Sequence, residues 1–180
     1  MREIEVKARL RDEADFLVAA SKLGIEFGQA MTQADRTFLS DTPYGDPAWN
    51  IFRLRRQDDK TLFTLKFHAS DRSRDNHEYE TEVKDGDQIQ KILERLGYKQ
   101  DVYINKSRRI THYKDLELCL DEVERLGAFV EVEKLAADDA DVDQIQDELW
   151  SLLKSCGVAE EDRVHDGYDT LIRNLDSKSS

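Results

Sequence analysis

The sequence predicts an α+β protein whose sheet has one apolar face and one charged face. Three observations predict it. Short segments alternate apolar and charged residues with a period of two. The segments between them carry apolar residues at helical spacing and stop at a glycine. The pattern Glu3-Ile4-Glu5-Val6-Lys7 recurs as Glu80-Thr81-Glu82-Val83-Lys84 and, in part, as Glu131-Val132-Glu133-Lys134. An amphipathic helix follows each copy, ending at Gly24, Gly97 and Gly157.

Residues 2–10 read as a strand. Successive side chains point to opposite faces, so Glu3, Glu5, Lys7 and Arg9 share one face and Ile4, Val6, Ala8 and Leu10 the other. Asp12 caps a helix over 12–23, with Phe16, Ala20 and Leu23 inward. A strand is expected over 35–39, then a turn-rich loop from Asp41 to Pro47. Residues 50–57 and 61–68 form a hairpin around Asp58-Asp59-Lys60. In its first strand Arg53 and Arg55 oppose Phe52 and Leu54; in its second Phe63, Leu65 and Phe67 oppose Thr64, Lys66 and His68. Ala69 to Asn76 is a polar loop carrying Arg72 and Arg74.

Residues 77–84 form the next strand, with Glu78, Glu80 and Glu82 on one face. Asp85 opens a helix whose Ile89, Ile92, Leu93 and Leu96 fall at i, i+3, i+4 and i+7. Three strands follow over 102–112, 115–123 and 128–135. The first holds Lys106 and Arg108 on one face. The second sets Leu116, Leu118 and Leu120 against Glu117, Cys119 and Asp121, and the third sets Val130 and Val132 against Glu131 and Glu133. A helix over 142–156 has the stripe Ile145, Leu149, Leu152, Leu153 and Cys156. Asp166 caps a last helix carrying Tyr168, Leu171, Ile172 and Leu175. One domain over 1–175 with a disordered tail over 176–180 is the expectation.

Charged residues make up 37% of the 180-residue chain and the net charge is -12. That balance argues against nucleic acid as a partner, because binding it needs a basic face. The apolar runs are too short to span a bilayer. Arg2, Glu3 and Glu5 interrupt the place of a signal-peptide apolar region, so none is expected. Cys119 and Cys156 match no zinc-site spacing, which fits a reduced, cytoplasmic setting.

Glu3, Glu5, Glu80, Glu82, Asp121, Glu131 and Glu133 thus supply carboxylates on the charged faces, and Lys7, Arg53, Arg55, Lys66, Lys106 and Arg108 supply cations. Two arrangements remain open. The charged faces meet water on a two-layer sheet, or the sheet closes and they line a tunnel. A polyphosphate with a divalent metal suits both sets of charges: arginine forks and lysines take phosphate oxygens, and carboxylates take the cation. No Walker loop and no GxGxxG is present, so side chains rather than a backbone cradle would bind the phosphate.

The ordered set ExExK at Glu3–Lys7, Arg53-x-Arg55, Lys66, Lys106-x-Arg108 and Asp121 ten residues before Glu131-x-Glu133 resembles the CYTH superfamily, the triphosphate tunnel metalloenzymes. The spacing looks most like its class IV adenylyl cyclase branch, with thiamine triphosphatase-like proteins beside it. The resemblance covers residues 2–172. It implies a closed eight-stranded antiparallel β-barrel, the triphosphate tunnel, with amphipathic helices packed outside. It implies Mg²⁺ or Mn²⁺ and a triphosphate-bearing substrate: ATP, thiamine triphosphate or inorganic triphosphate. Carried over, Glu3, Glu5, Glu131 and Glu133 are metal ligands with Asp121 beside them. Lys7, Arg53, Arg55, Lys66, Lys106 and Arg108 hold the phosphates and act catalytically, with Glu80 assisting at the substrate. Tyr168 matches a tyrosine near the family's C-terminus. Family cyclases are often dimers, so a homodimer is a further expectation. A cyclase, a triphosphatase and a binding module without turnover would use nearly the same residues, and the organic group decides between the first two.

Overall fold

In the computed structural model, residues 2–43, 46, 49–68, 76–137 and 139–178 are described. The strands are β1 (Arg2–Arg9), β2 (Met31–Leu39), β3 (Asn50–Gln57), β4 (Lys60–His68), β5 (Asn76–Val83), β6 (Lys99–Tyr113), β7 (Leu116–Val123), β8 (Gly127–Ala136) and β9 (Arg163–Val164). The helices are α1 (Glu13–Lys22), α2 (Gly86–Arg95), α3 (Val142–Ser155) and α4 (Tyr168–Ser177), with a 3₁₀ turn at Glu160–Asp162. Aspartates start the first three helices. Asp12, Asp85 and Asp141 accept from the backbone N–H of Asp15, Gln88 and Gln144 at 3.0, 3.0 and 3.1 Å, which satisfies a donor the helix itself leaves open. Asp166 does not cap α4; Gly167 holds that position without a side-chain bond. The expected loop from Ala69 with Arg72 and Arg74, and Tyr44, Gly45 and Pro47 of the earlier loop, lie outside the described residues.

Nine strands hydrogen-bond in the order β5-β4-β3-β2-β6-β7-β8-β1-β9. The pairings of β1 with β8 and β9, of β2 with β3, β3 with β4, β4 with β5, β6 with β7 and β7 with β8 are antiparallel. The expected closed eight-stranded barrel is corrected: β5 and β9 stand at the two ends of an open order. The second edge of β1 is taken by Arg163 and Val164, opposite Ala8 and Lys7. Alternation says which face a residue takes but not what its edge meets, and a two-residue strand has no periodicity to read. No described helix is long and apolar enough to cross a membrane.

The chain forms two compact units. One comprises Met1–Met31 and Lys106–Asp166. Its core joins Ile4 and Val6 of β1, Leu118 and Leu120 of β7, and Val130 and Val132 of β8 to Phe16 and Ala20 of α1 and Leu149 and Leu153 of α3. The other comprises Thr32–Asn105 and Gly167–Ser180, where Phe38, Leu54 and Leu93 are buried together with Phe52, Phe63, Ile89 and Tyr98 against them. The expected stripe of α2 is narrower than its spacing suggests. Leu93 is 2% exposed, but Ile92 is 52% and Leu96 68% exposed. One ridge of the helix, Ile89 and Leu93 at i and i+4, meets the sheet; the neighbouring ridge, Ile92 and Leu96, turns outward.

Leu153→Ala is expected to cost roughly 2–5 kcal/mol, because it leaves a cavity in a closed core. Leu96→Ala is expected to stay within about 0.5 kcal/mol. Urea unfolding of the two variants checks both.

Candidate functional site

In the first unit the strand register stacks the charged face in rows. Lys7 faces Glu131, which faces Cys119. One row along, Glu5 faces Glu133, which faces Glu117. In the other direction Asp121 faces Arg108. Directly opposed residues on one face of an antiparallel pair have neighbouring side chains, so acids gather at one end and cations at the other.

At the cationic end the charges are buried and bonded. Arg108 donates to Asp121 through Nε at 2.7 Å and Nη2 at 2.6 Å, and also to Glu131. Lys106 Nζ lies 2.9 Å from Asp121, and Lys7 Nζ lies 3.1 Å from Glu131 and 3.6 Å from Glu5. Lys7 Nζ also donates to the Asp166 carbonyl at 3.5 Å. Burial works to lower the Lys7 ammonium, but the carboxylates of Glu131 and Glu5 outweigh it and hold it above its ordinary value. Burial works to raise the Glu131 carboxyl, but Lys7, Arg108 and Lys106 hold it well below its usual range.

The acidic end behaves oppositely. One carboxylate oxygen each from Glu3, Glu5 and Glu133 lie within 4.8 Å of one another. Burial, then the carboxylates of Glu3, Glu131 and Glu5, push Glu133 up to about 9. Repulsion of this kind suits a cation held by oxygen ligands. A second trio, Glu117, Cys119 and Glu133, shares Glu133. Burial pushes the Cys119 thiol up, which keeps it protonated.

Of the five expected metal ligands, the structure brings Glu3, Glu5 and Glu133 together. It places Glu131 and Asp121 among the cations, where they orient Lys7, Lys106 and Arg108.

The second unit carries its own charged face. Asp35 and Arg55 form a two-pronged pair, Nε–Oδ1 and Nη2–Oδ2 both 2.8 Å. Arg53 Nη2 donates to Thr64 Oγ1 and Glu80 Oε2, both at 3.2 Å, and Thr64 Oγ1 donates to Glu80 at 2.9 Å. Glu78 takes Lys66 and, at 3.5 Å, Arg53. Burial works to raise the Glu78 carboxyl, yet Lys66 and Arg53 hold it below its ordinary value. Arg53 Nε is buried without a hydrogen-bond partner among the described residues. Sequence reasoning placed Arg53, Arg55, Lys66 and Glu80 on one face and missed Asp35, Thr64 and Glu78 as their partners. The signal was available once the hairpin register was written out, since Arg53 faces Thr64 and Thr64 faces Glu80. Tyr168 is buried at the start of α4.

A family model described as CYTH domain matches residues 1–168. The chain is 28% identical over 169 residues to the Methanocaldococcus jannaschii protein named "Putative adenylate cyclase", covering 93% of this chain and 97% of that one. It is 25% identical over 173 residues to the Aeromonas hydrophila protein named "Adenylate cyclase CyaB", covering 94% and 87% of the two chains. A solved structure of a Pyrococcus horikoshii protein is 26% identical and superposes with a TM-score of 0.80, covering 94% of this chain and 98% of that one.

Glu133 gives a pH prediction. Its folded carboxyl keeps a proton up to about 9, against an ordinary value of 4.5. Between those values the folded state binds more protons than the unfolded one, so stability falls as pH rises. In the presence of EDTA, Glu133→Gln is expected to flatten that fall. Urea midpoints at several pH values across the window check it, and equal slopes for both proteins would contradict it.

Proposed function

Because the chain belongs to the CYTH domain family, we propose that it is a metal-dependent enzyme acting on the triphosphate of a nucleotide, most closely a class IV adenylate cyclase converting ATP to cyclic AMP and pyrophosphate. The observation that carries this reading is the trio Glu3, Glu5 and Glu133, with carboxylate oxygens within 4.8 Å, one row from the buried Lys7. Names of relatives that include "Adenylate cyclase CyaB" support the cyclase branch. The buried free thiols of Cys119 and Cys156 suit a cytoplasmic setting.

The residues fit a hard divalent cation. Three carboxylates, one of them raised to about 9 by burial and its neighbours, repel one another until a cation joins them. Glu3, Glu5 and Glu133 would hold Mg²⁺ or Mn²⁺, with Glu131 and Asp121 behind them. Bound there, the ion supplies charge neutralisation at phosphate oxygens. Lys7, Lys106 and Arg108 take phosphate oxygens by exchanging them for the carboxylates they now hold. The family resemblance gives Arg53, Arg55 and Lys66 the same duty, assisted by Glu80. The Nε of Arg53, without a partner among the described residues, is a donor that a phosphate oxygen satisfies.

In the cyclase reaction the ribose 3′-oxygen bonds to the α-phosphorus and its proton is released. The bond from that phosphorus to the bridging oxygen breaks, and pyrophosphate leaves with its charge stabilised by these cations. In a triphosphatase, water attacks the terminal phosphorus on the same scaffold.

The deciding experiment is a product assay with Mg²⁺ or Mn²⁺ and, separately, ATP, thiamine triphosphate and inorganic triphosphate. Cyclic AMP with pyrophosphate is the expected result. Orthophosphate without cyclic nucleotide makes the protein a triphosphatase, and triphosphate binding without any product makes it a binding module. Glu5→Ala and Glu133→Ala are each expected to cut metal-dependent turnover by roughly a hundredfold or more while the fold persists; full activity in both would remove the metal-ligand assignment. Arg55→Ala is expected to weaken all triphosphates alike, because it meets phosphate rather than the organic group. Loss for a single organic substrate would contradict that role.

A further inference from the structure

The charged face of the second unit does not end at its arginines. Along β2 and β3, the register pairs Thr37 with Arg53, then Asp35 with Arg55, then Gln33 with Gln57. Residues two apart on a strand lie roughly 6.6 Å apart on the same face. The glutamine pair is therefore one row beyond Arg55, in line with Arg53 and Arg55. Gln33 Nε2 donates to Gln57 Oε1 at 2.7 Å. Gln33 itself is 3% exposed, and its Oε1 is buried without a hydrogen-bond partner among the described residues. An amide oxygen in that state loses its hydration and receives nothing in return from the described residues.

The other buried polar groups of this face are bonded: Thr64 to Glu80, Asp35 and Arg55 to each other, and Thr37 to the backbone of Val102. Among the described residues Gln33 Oε1 and Arg53 Nε are the two atoms of this face left without a bond, and of these Gln33 Oε1 is the acceptor. No phosphate satisfies it, because an ionised phosphate oxygen is itself an acceptor. What satisfies it is an N–H or O–H.

We propose that Gln33 is a specificity-determining residue, whose Oε1 accepts a hydrogen bond from the organic part of the substrate next to the phosphates held by Arg53 and Arg55. This inference rests on the triphosphate reading above and extends it to the substrate class: the organic group carries a donor, either an amino group of the base or a ribose hydroxyl. Gln57 acts as a positioning residue. Its Oε1 holds the Gln33 amide with the carbonyl end turned away from the bond they share. A site built to receive a donor discriminates strongly against ligands that lack it, since the buried acceptor is then left unpaired. Inorganic triphosphate lacks such an organic donor altogether.

The test measures displacement of a fluorescent nucleoside triphosphate in Mg²⁺ by four ligands: ATP, the triphosphate of purine riboside (which lacks the amino group), 2′-deoxy-ATP and inorganic triphosphate. The unsubstituted protein, Gln33→Leu and Gln33→Met are compared. Both variants are expected to weaken ATP about tenfold relative to inorganic triphosphate. If the base amine is the donor, purine riboside triphosphate binds the unsubstituted protein about tenfold more weakly than ATP, and the variants weaken it no further. If the ribose 2′-hydroxyl is the donor, 2′-deoxy-ATP shows that behaviour instead, and a changed ratio with equal binding of all three nucleotides by the unsubstituted protein assigns the 3′-hydroxyl. An unchanged ratio of ATP to inorganic triphosphate affinity in folded variants overturns the inference and leaves the enzyme reading intact. So does equal binding of all three nucleotides by the unsubstituted protein together with an unchanged ratio, an arm that needs no variant for its first half. If the unsubstituted protein fails to bind any triphosphate, the enzyme reading itself falls, and this inference with it.

Discussion

A buried chain of alternating charges crosses four strands of one unit: Lys106, Asp121, Arg108, Glu131 and Lys7, each joined to the next. Taking such ions out of water is costly, and their mutual attraction offsets that cost only where geometry is good and the remaining hydrogen bonds are made. Here Asp121 accepts from two cations and Arg108 donates to two acids. Removing one member leaves buried charge with less opposite charge to offset its lost hydration, which is the expensive outcome. The apolar face behind the same strands, packed on α1 and α3, supplies the stability that lets this face carry charge.

At the end of that chain the alternation fails. Glu133 has Glu3, Glu5 and Glu131 around it rather than a lysine, and its carboxyl keeps a proton into the alkaline range, up to about 9. Glu131 and Glu133 contrast although they lie two residues apart on the same strand. One is held ionised by cations and orients them; the other is raised by burial and by the carboxylates around it. The second unit repeats the first behaviour without the second: Arg55 with Asp35, Arg53 with Glu80, and Lys66 with Glu78 are all matched pairs. In each unit the cations are therefore kept in place by acids.

Much of this was legible in the residues. Period-two alternation sorted Arg53 and Arg55 from Phe52 and Leu54, and Glu131 and Glu133 from Val130 and Val132, because side-chain direction follows from backbone geometry alone. What neighbours what across strands was not legible, because register is a tertiary property. The sequence pattern shows Asp35 only as the start of a strand, yet it holds Arg55. Gln33 lay outside the expected strand and proved to be on its charged face. Closure was the largest miss: a family resemblance implied a barrel, while two residues without pattern, Arg163 and Val164, occupy the edge of β1. On α2 the helical period was right but the buried ridge was half as wide as the stripe.

The central claim is that the Glu3, Glu5 and Glu133 carboxylates take a hard divalent cation in place of a proton. Calorimetric titration of the metal-free protein with Mn²⁺ near pH 8, in two buffers of different ionisation enthalpy, reads both events together. The account predicts saturable binding with release of about one proton from the unsubstituted protein, and neither the tight binding nor the proton release in Glu133→Gln. Binding of equal affinity with no proton released, unchanged by that substitution, would contradict it.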